Sequence, residues 1–125
     1  MKFPSAFGIA ERDAFYKSVS FDGWGGASGD DAPLIAYDAL LGAIFDKPRD
    51  RLAPENDPDA VRWEQLCLRG TLHGGDSDST AILASAWYGA LYGFAGVPKN
   101  HYFAVEYSDR AVKLAELLHS MFGEE

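Results

Sequence analysis

The sequence predicts an all-α fold. Apolar residues recur at spacings of three and four, glycine and proline clusters separate those segments, and no stretch shows the strict alternation of a half-buried strand. A first helix is expected from Glu11 to Val19. The segment Gly23 to Gly29 holds four glycines, too many for a regular element, and reads as an ordered loop. Asp31 reads as an N-cap with Pro33 tolerated in the first turn, opening a helix through Phe45 whose apolar face is Leu34, Tyr37, Leu41 and Ile44. Residues 46–60, with three prolines and several aspartates, are expected to form an exposed loop insertion. Around its end a helix from Asp59 to Leu68 fits, with Gly70 as the stop signal.

The run beginning at Ala81 reads as a long buried helix. Ala81, Ser85, Gly89 and Gly93 repeat every four residues and form a smooth stripe that another backbone could approach, while Ile82, Leu83, Trp87 and Leu91 cover the other faces. A last helix from Ser108 to Met121 should bury Val112, Leu114, Leu117, Leu118 and Met121 against a polar side of Asp109, Lys113 and Glu116. No internal repeat or low-complexity tract interrupts the chain, which reads as a single domain over 1–125.

Composition bounds the function. With 47% hydrophobic and 24% charged residues the chain can build a core and is not disordered in character. A net charge of −8 argues against a nucleic-acid partner, because phosphates repel an acidic surface. Cys67 is the single cysteine, so no intrachain disulfide can form, and its apolar neighbours Leu66 and Leu68 favour a buried, inert thiol. The apolar run Ala81 to Val97 holds three glycines and lacks basic flanks, so it reads as a core helix and no membrane partner is expected. Met1-Lys2-Phe3-Pro4 does not read as a signal peptide, and a cytoplasmic location is expected.

The stretch richest in chemistry is His73-Gly74-Gly75-Asp76-Ser77-Asp78-Ser79-Thr80. Two carboxylates and hydroxyls crowd beside a glycine pair at the mouth of a helix, and such oxygens are the ligands hard cations prefer. The same residue types also cap helices, so a capping role competes with a metal role. At a helix N-terminus, free N–H groups and the dipole would hold the carboxylates ionised. Gly74 and Gly75 serve either as turn residues or as room for a ligand. His73 reads better as a supporting or packed ring than as a general base. Trp24 could stack on a base, though pinning its loop to the core is the commoner use. Asp30 and Asp31 read as capping residues, and Glu106 has no assigned role. An Asp-x-Asp-x-Thr phosphatase nucleophile would need a hydrophobic strand before Asp76, where Arg69 to Gly75 stands instead. An EF-hand would want glycine and glutamate where Ala81 and Trp87 stand.

Glu11-Arg12-Asp13-Ala14-Phe15-Tyr16-Lys17-Ser18, Gly23-Trp24-Gly25-Gly26-Ala27-Ser28-Gly29-Asp30-Asp31-Ala32-Pro33, Ala36-Tyr37-Asp38-Ala39-Leu40-Leu41 and the HGGDSDST run follow in fixed order, and Tyr92-Gly93-Phe94, Pro98 and Glu106-Tyr107 extend the pattern. Together they resemble the C-terminal part of the ADP-ribosylarginine hydrolases of the ADP-ribosylglycohydrolase family, over most of the chain. The resemblance implies a multi-helix orthogonal bundle of that type, present here in its C-terminal part. It implies two Mg²⁺ ions (Mn²⁺ being the alternative cation) and cleavage of the N-glycosidic bond between ADP-ribose and a protein arginine. By the family's Asp-x-Asp-Ser/Thr motif, Asp76, Asp78 and Ser79 are the implied metal ligands, and Asp76 and Asp78 the implied catalytic residues. Phe21 to Gly29 resembles the loop around ribose and phosphates, so Phe21, Asp22, Gly23, Ser28 and Gly29 are the implied substrate-binding residues. Phe21 stands where relatives often carry an aromatic hydroxyl.

The family's second half-site is a Thr-Asp-Asp motif far upstream. No such motif occurs, and the only threonines are Thr71 and Thr80. A separate or missing N-terminal segment is therefore an expected partner, beside ADP-ribose or ADP-ribosylated arginine on proteins. The competing expectation is a catalytically inactive fragment that binds ADP-ribose or a protein partner.

Overall fold

The computed structural model describes residues 8–46, 52–54 and 56–123, with no side-chain description at Ile9. Among the described residues five α-helices follow one another, α1 (Ile9–Val19), α2 (Asp31–Phe45), α3 (Pro58–Gly70), α4 (Ser77–Tyr92) and α5 (Ser108–Phe122), with a 3₁₀ turn at Lys99–His101. No strand occurs among the described residues, so the all-α expectation holds.

Helices α2, α3 and α4 pack on one another around Ala36, Leu40, Ala43, Leu66, Ala84 and Tyr88. The α2 seam differs from the expected one by about one residue. Ile35, Ala36, Ala39, Leu40 and Ala43 are buried, whereas Tyr37 and Leu41 face outward and Leu34 and Ile44 are half-buried. Small side chains let three helices approach closely, and that selects the alanine face over the bulkier one. Gly70 is the last residue of α3 and is buried, not a stop signal beyond it, because a Cβ there would press on Ala39 and Ala84 at 3.3 and 3.4 Å.

Ion pairs tie α1 to this bundle. The buried Arg12 guanidinium pairs with Asp38 and lies 3.7 Å from Asp46. Tyr16 Oη donates to Asp38 at 2.9 Å, and Arg69 donates to Asp46 at 2.8 Å. Charges this far from water persist only when paired, so the network ties α1, α2 and α3 to one geometry. Desolvation, and then the Asp38 charge, push the Tyr16 hydroxyl far above its ordinary value, so it stays a donor.

The loop expected over 46–60 is shorter, because Asp57 caps α3 by accepting from the Ala60 N–H at 3.0 Å and Pro58 opens the helix. Glu64 holds it back by accepting from the N–H groups of Leu52 and Ala53. Residues 47–51 and 55 of that expected insertion lie outside the described residues.

Two expectations about burial fail. Helix α4 buries only Thr80, Ala84 and Tyr88, while Ile82 and Leu91 are exposed. The stripe beside it meets open space at Gly89 and Gly93, where an added methyl would find no atom within 4 Å. In α5 no residue is buried, and Val112, Leu114, Leu117, Leu118 and Met121 all face out. Apolar periodicity shows which face needs a partner, and the described residues supply none for these two. Among the described residues no helix is long and apolar enough to cross a membrane.

Candidate active site

Asp76 occupies the N-cap position of α4, with Ser77, Asp78 and Ser79 in its first turn. The Asp76 carboxylate does not cap the helix; its Oδ2 accepts from Ser79 Oγ at 2.8 Å. Asp78 is exposed, and its carboxyl is held below its ordinary value first by the neighbouring Asp76 carboxyl and then by backbone N–H groups. Two carboxylates in contact repel unless a proton or a cation lies between them. All three side chains thus offer oxygen donors from one helical turn, the donor chemistry of a hard divalent cation. Among the described residues no group of three His, Cys, Asp or Glu side chains gathers as a complete metal cage. The turn fits such an ion as part of a ligand set.

The glycine-rich loop presses directly on this turn. The Asp76 N–H donates to the Gly25 carbonyl at 2.9 Å. A Cβ on Gly75 would lie 2.0 Å from that carbonyl oxygen, and one on Gly26 would lie 2.7 Å from Thr80 Cγ2. Gly26 also has φ +95°, a conformation that L side chains rarely adopt. The two segments marked in the sequence are therefore joined backbone to backbone.

The implied substrate residues divide into two groups along that loop. Phe21 is 97% exposed and Asp22 Oδ1 accepts from the Trp24 N–H at 3.0 Å, closing a turn through Gly23. Ser28 is fixed at the other end: its N–H donates to Asp31 Oδ1 at 2.8 Å and its Oγ to Asp30 Oδ1 at 2.5 Å. Open space surrounds Gly29 and Gly23, leaving their backbone accessible. Helix α2 takes Asp30 as its N-cap residue, one position before the expected Asp31, whose carboxylate reaches back to hold the loop. Trp24 is 52% exposed and does not pin the loop; Gly25 and Gly26, both buried, do so in its place.

His73 and Thr80 lock the turn from behind. The Gly75 N–H donates to His73 Nδ1 at 3.1 Å, so the ring proton resides on Nε2, which meets Thr80 Oγ1 at 2.8 Å. The fully buried Thr80 hydroxyl then donates to the Gly70 carbonyl at 2.7 Å. This relay links the end of α3 to the start of α4. Burial holds the His73 ring below its ordinary value, against the opposing charges of Asp13 and Asp76. A ring engaged at both nitrogens supports the turn and is not free to act as a base.

Asp13 and Thr80 carry no mark as site residues in the sequence. Asp13 accepts from the Gly74 N–H across 61 positions at 2.8 Å, a pairing that only the fold creates. Thr80 has one available signal, its place directly after the motif. Away from this region, Cys67 is half-buried and not buried as expected; burial and then Glu64 push its thiol up to about 11, so it stays protonated. Cys67 borders an apolar groove of about 720 Å³ between α3 and α4, with Trp63, Gly89 and Tyr102 among its walls.

The all-helical scaffold thus locks a glycine-rich loop onto an Asp-x-Asp-Ser helix mouth. The ADP-ribosylglycohydrolase family model matches residues 5–125, and the chain belongs to that family. It is 46% identical over 105 residues to ADP-ribosylhydrolase ARH1 of Dictyostelium discoideum, a match covering 84% of this chain. The chain spans 23% of that relative's length.

Proposed function

We propose that this chain supplies the C-terminal half of a Mg²⁺-dependent site that hydrolyses the N-glycosidic bond of ADP-ribosyl-arginine on proteins. The observation that carries this reading is the junction of the two segments, the Asp76 N–H held by the Gly25 carbonyl at 2.9 Å. It holds a loop with accessible backbone beside a turn of clustered carboxylates.

Asp76, Asp78 and Ser79 would hold the metal, with Asp76 and Asp78 also the catalytic residues. When bound, a pair of divalent ions would orient the ribose hydroxyls and activate water toward the anomeric carbon. Gly23 and Gly29 present unobstructed backbone to the ribose and phosphates, and Ser28, its hydroxyl proton given to Asp30, would offer an acceptor oxygen to a ribose hydroxyl. Phe21 and Trp24 expose ring faces at the start of the same loop, where a base could stack. With a net charge of −8, the chain would repel an anionic ligand unless a cation intervened, which supports a metal-dependent site.

One observation favours the second reading, an inactive fragment that binds ADP-ribose or a protein partner. The carboxylate turn supplies only part of a metal cage among the described residues. Calorimetric titration with ADP-ribose separates the readings from no site at all. Saturable binding that requires Mg²⁺ and vanishes in Asp78→Ala supports a working half-site, and Mg²⁺-independent binding supports the second reading. No binding by a folded chain contradicts the second reading as far as ADP-ribose is concerned, and means that the site of the first exists only when an N-terminal segment completes it.

A further inference from the structure

Three consecutive amides lead into the carboxylate turn, and each is held by a different part of the fold. The Gly74 N–H donates to Asp13 Oδ1 at 2.8 Å, the Gly75 N–H to His73 Nδ1 at 3.1 Å, and the Asp76 N–H to the Gly25 carbonyl at 2.9 Å. The Ser77 N–H closes the turn on the Gly75 carbonyl at 3.0 Å. Of the three anchors, Asp13 alone comes from α1, the helix that the Arg12 and Tyr16 contacts with Asp38 fix to the bundle.

We propose that Asp13 is a positioning residue for this site, setting the path of the turn that aims Asp76 and Asp78 by accepting the Gly74 N–H from α1. The inference rests on the metal reading above and adds a residue outside the implied ligand set. Glycine at 74 suits the contact, because a Cβ there would lie 2.9 Å from Asp13 Oδ1. Lys17 Nζ, one helical turn along α1, pairs with the other carboxylate oxygen at 2.8 Å and orients the side chain. The carboxyl is correspondingly lowered, first by Lys17 and then by the Gly74 N–H. A free loop would have to adopt the metal-binding path at an entropic cost; anchoring its amides removes part of that cost.

The experiment is a Mg²⁺ titration of the chain followed by the backbone NMR signals of residues 76–79, together with hydrogen exchange at the Gly74 amide. Wild type is compared with Asp13→Ala, Asp13→Asn and Asp78→Ala. Asparagine keeps the acceptor oxygen and discards the charge. Asp13→Ala is expected to weaken Mg²⁺ roughly tenfold or more and to speed Gly74 exchange. Asp13→Asn is expected to restore both toward wild type. Equal loss in the two variants would mean that charge matters and not the Gly74 bond, and would overturn the proposal. So would wild-type affinity and exchange in Asp13→Ala. If wild type shows no Mg²⁺ response, or Asp78→Ala retains it, the metal reading falls separately. The Gly74 exchange rates then still decide whether Asp13 fixes the turn.

Discussion

Two glycines in helix interiors are expected to respond to the same substitution with opposite signs. Replacing glycine by alanine within an exposed helix ordinarily stabilises by about 1 kcal/mol, through backbone entropy. Gly89 in α4 has nothing within 4 Å of the new methyl, so Gly89→Ala should gain about that amount. Gly42 in α2 differs. A Cβ there would fall 1.7 Å from Arg69 Nη1 and 2.6 Å from its Cζ, so the guanidinium has to leave. Departure breaks the 2.8 Å contact with Asp46, whose side chain is 30% exposed while that of Arg69 is 8% exposed. Breaking a fully buried pair costs about 3–5 kcal/mol, and the partial exposure of Asp46 places this one near the lower limit. Less the helix gain, Gly42→Ala should destabilise by about 2 kcal/mol. Urea unfolding measures both changes as shifts of midpoint at constant slope. A Gly42→Ala variant as stable as wild type would mean that Arg69 has an equally good place to go, and that the pair with Asp46 does not set the cost.

Other perturbations bear on the site. Thr80→Val keeps the side-chain shape but strands the His73 Nε2–H and deprives the Gly70 carbonyl of its 2.7 Å donor. A loss of about 1–3 kcal/mol is expected in urea unfolding, and no loss would contradict the relay. His73 has a lowered value in the folded chain, so its contribution is full above about pH 6.5 and is lost as pH falls toward that lowered value. Melting profiles of His73→Asn should be flatter than wild type through this window; an unchanged slope would contradict the neutral, doubly engaged ring. Gly75→Ala places a Cβ 2.0 Å from the Gly25 carbonyl oxygen and should separate loop from turn, abolishing Mg²⁺-dependent ADP-ribose binding in calorimetry while the chain stays folded.

Helix positions are legible because glycine, proline and capping residues punctuate them in sequence. Asp57 and Pro58 open α3 one position before the expected start at Asp59, and Gly93, expected within the small-residue stripe of α4, ends that helix. Which face of each helix is buried is less legible. In α2 the alanine face wins over Tyr37 and Leu41, since close three-helix contact favours small residues. In α5 the periodicity marks one apolar side, but burial needs a partner that helix periodicity does not specify. The carboxylate turn is legible because its residues are contiguous. Its anchors are not, because Asp13 meets Gly74 only after α1 docks, and Gly25 meets Asp76 through backbone atoms common to every residue.

Replacing the matching segment of the Dictyostelium discoideum relative with this chain, and measuring ADP-ribose released from ADP-ribosyl-arginine, asks whether the carboxylate turn completes a working metal site. Mg²⁺-dependent release that Asp78→Ala removes is the expected result. A folded, Mg²⁺-loaded chimera that releases none, beside an active parent, would contradict it.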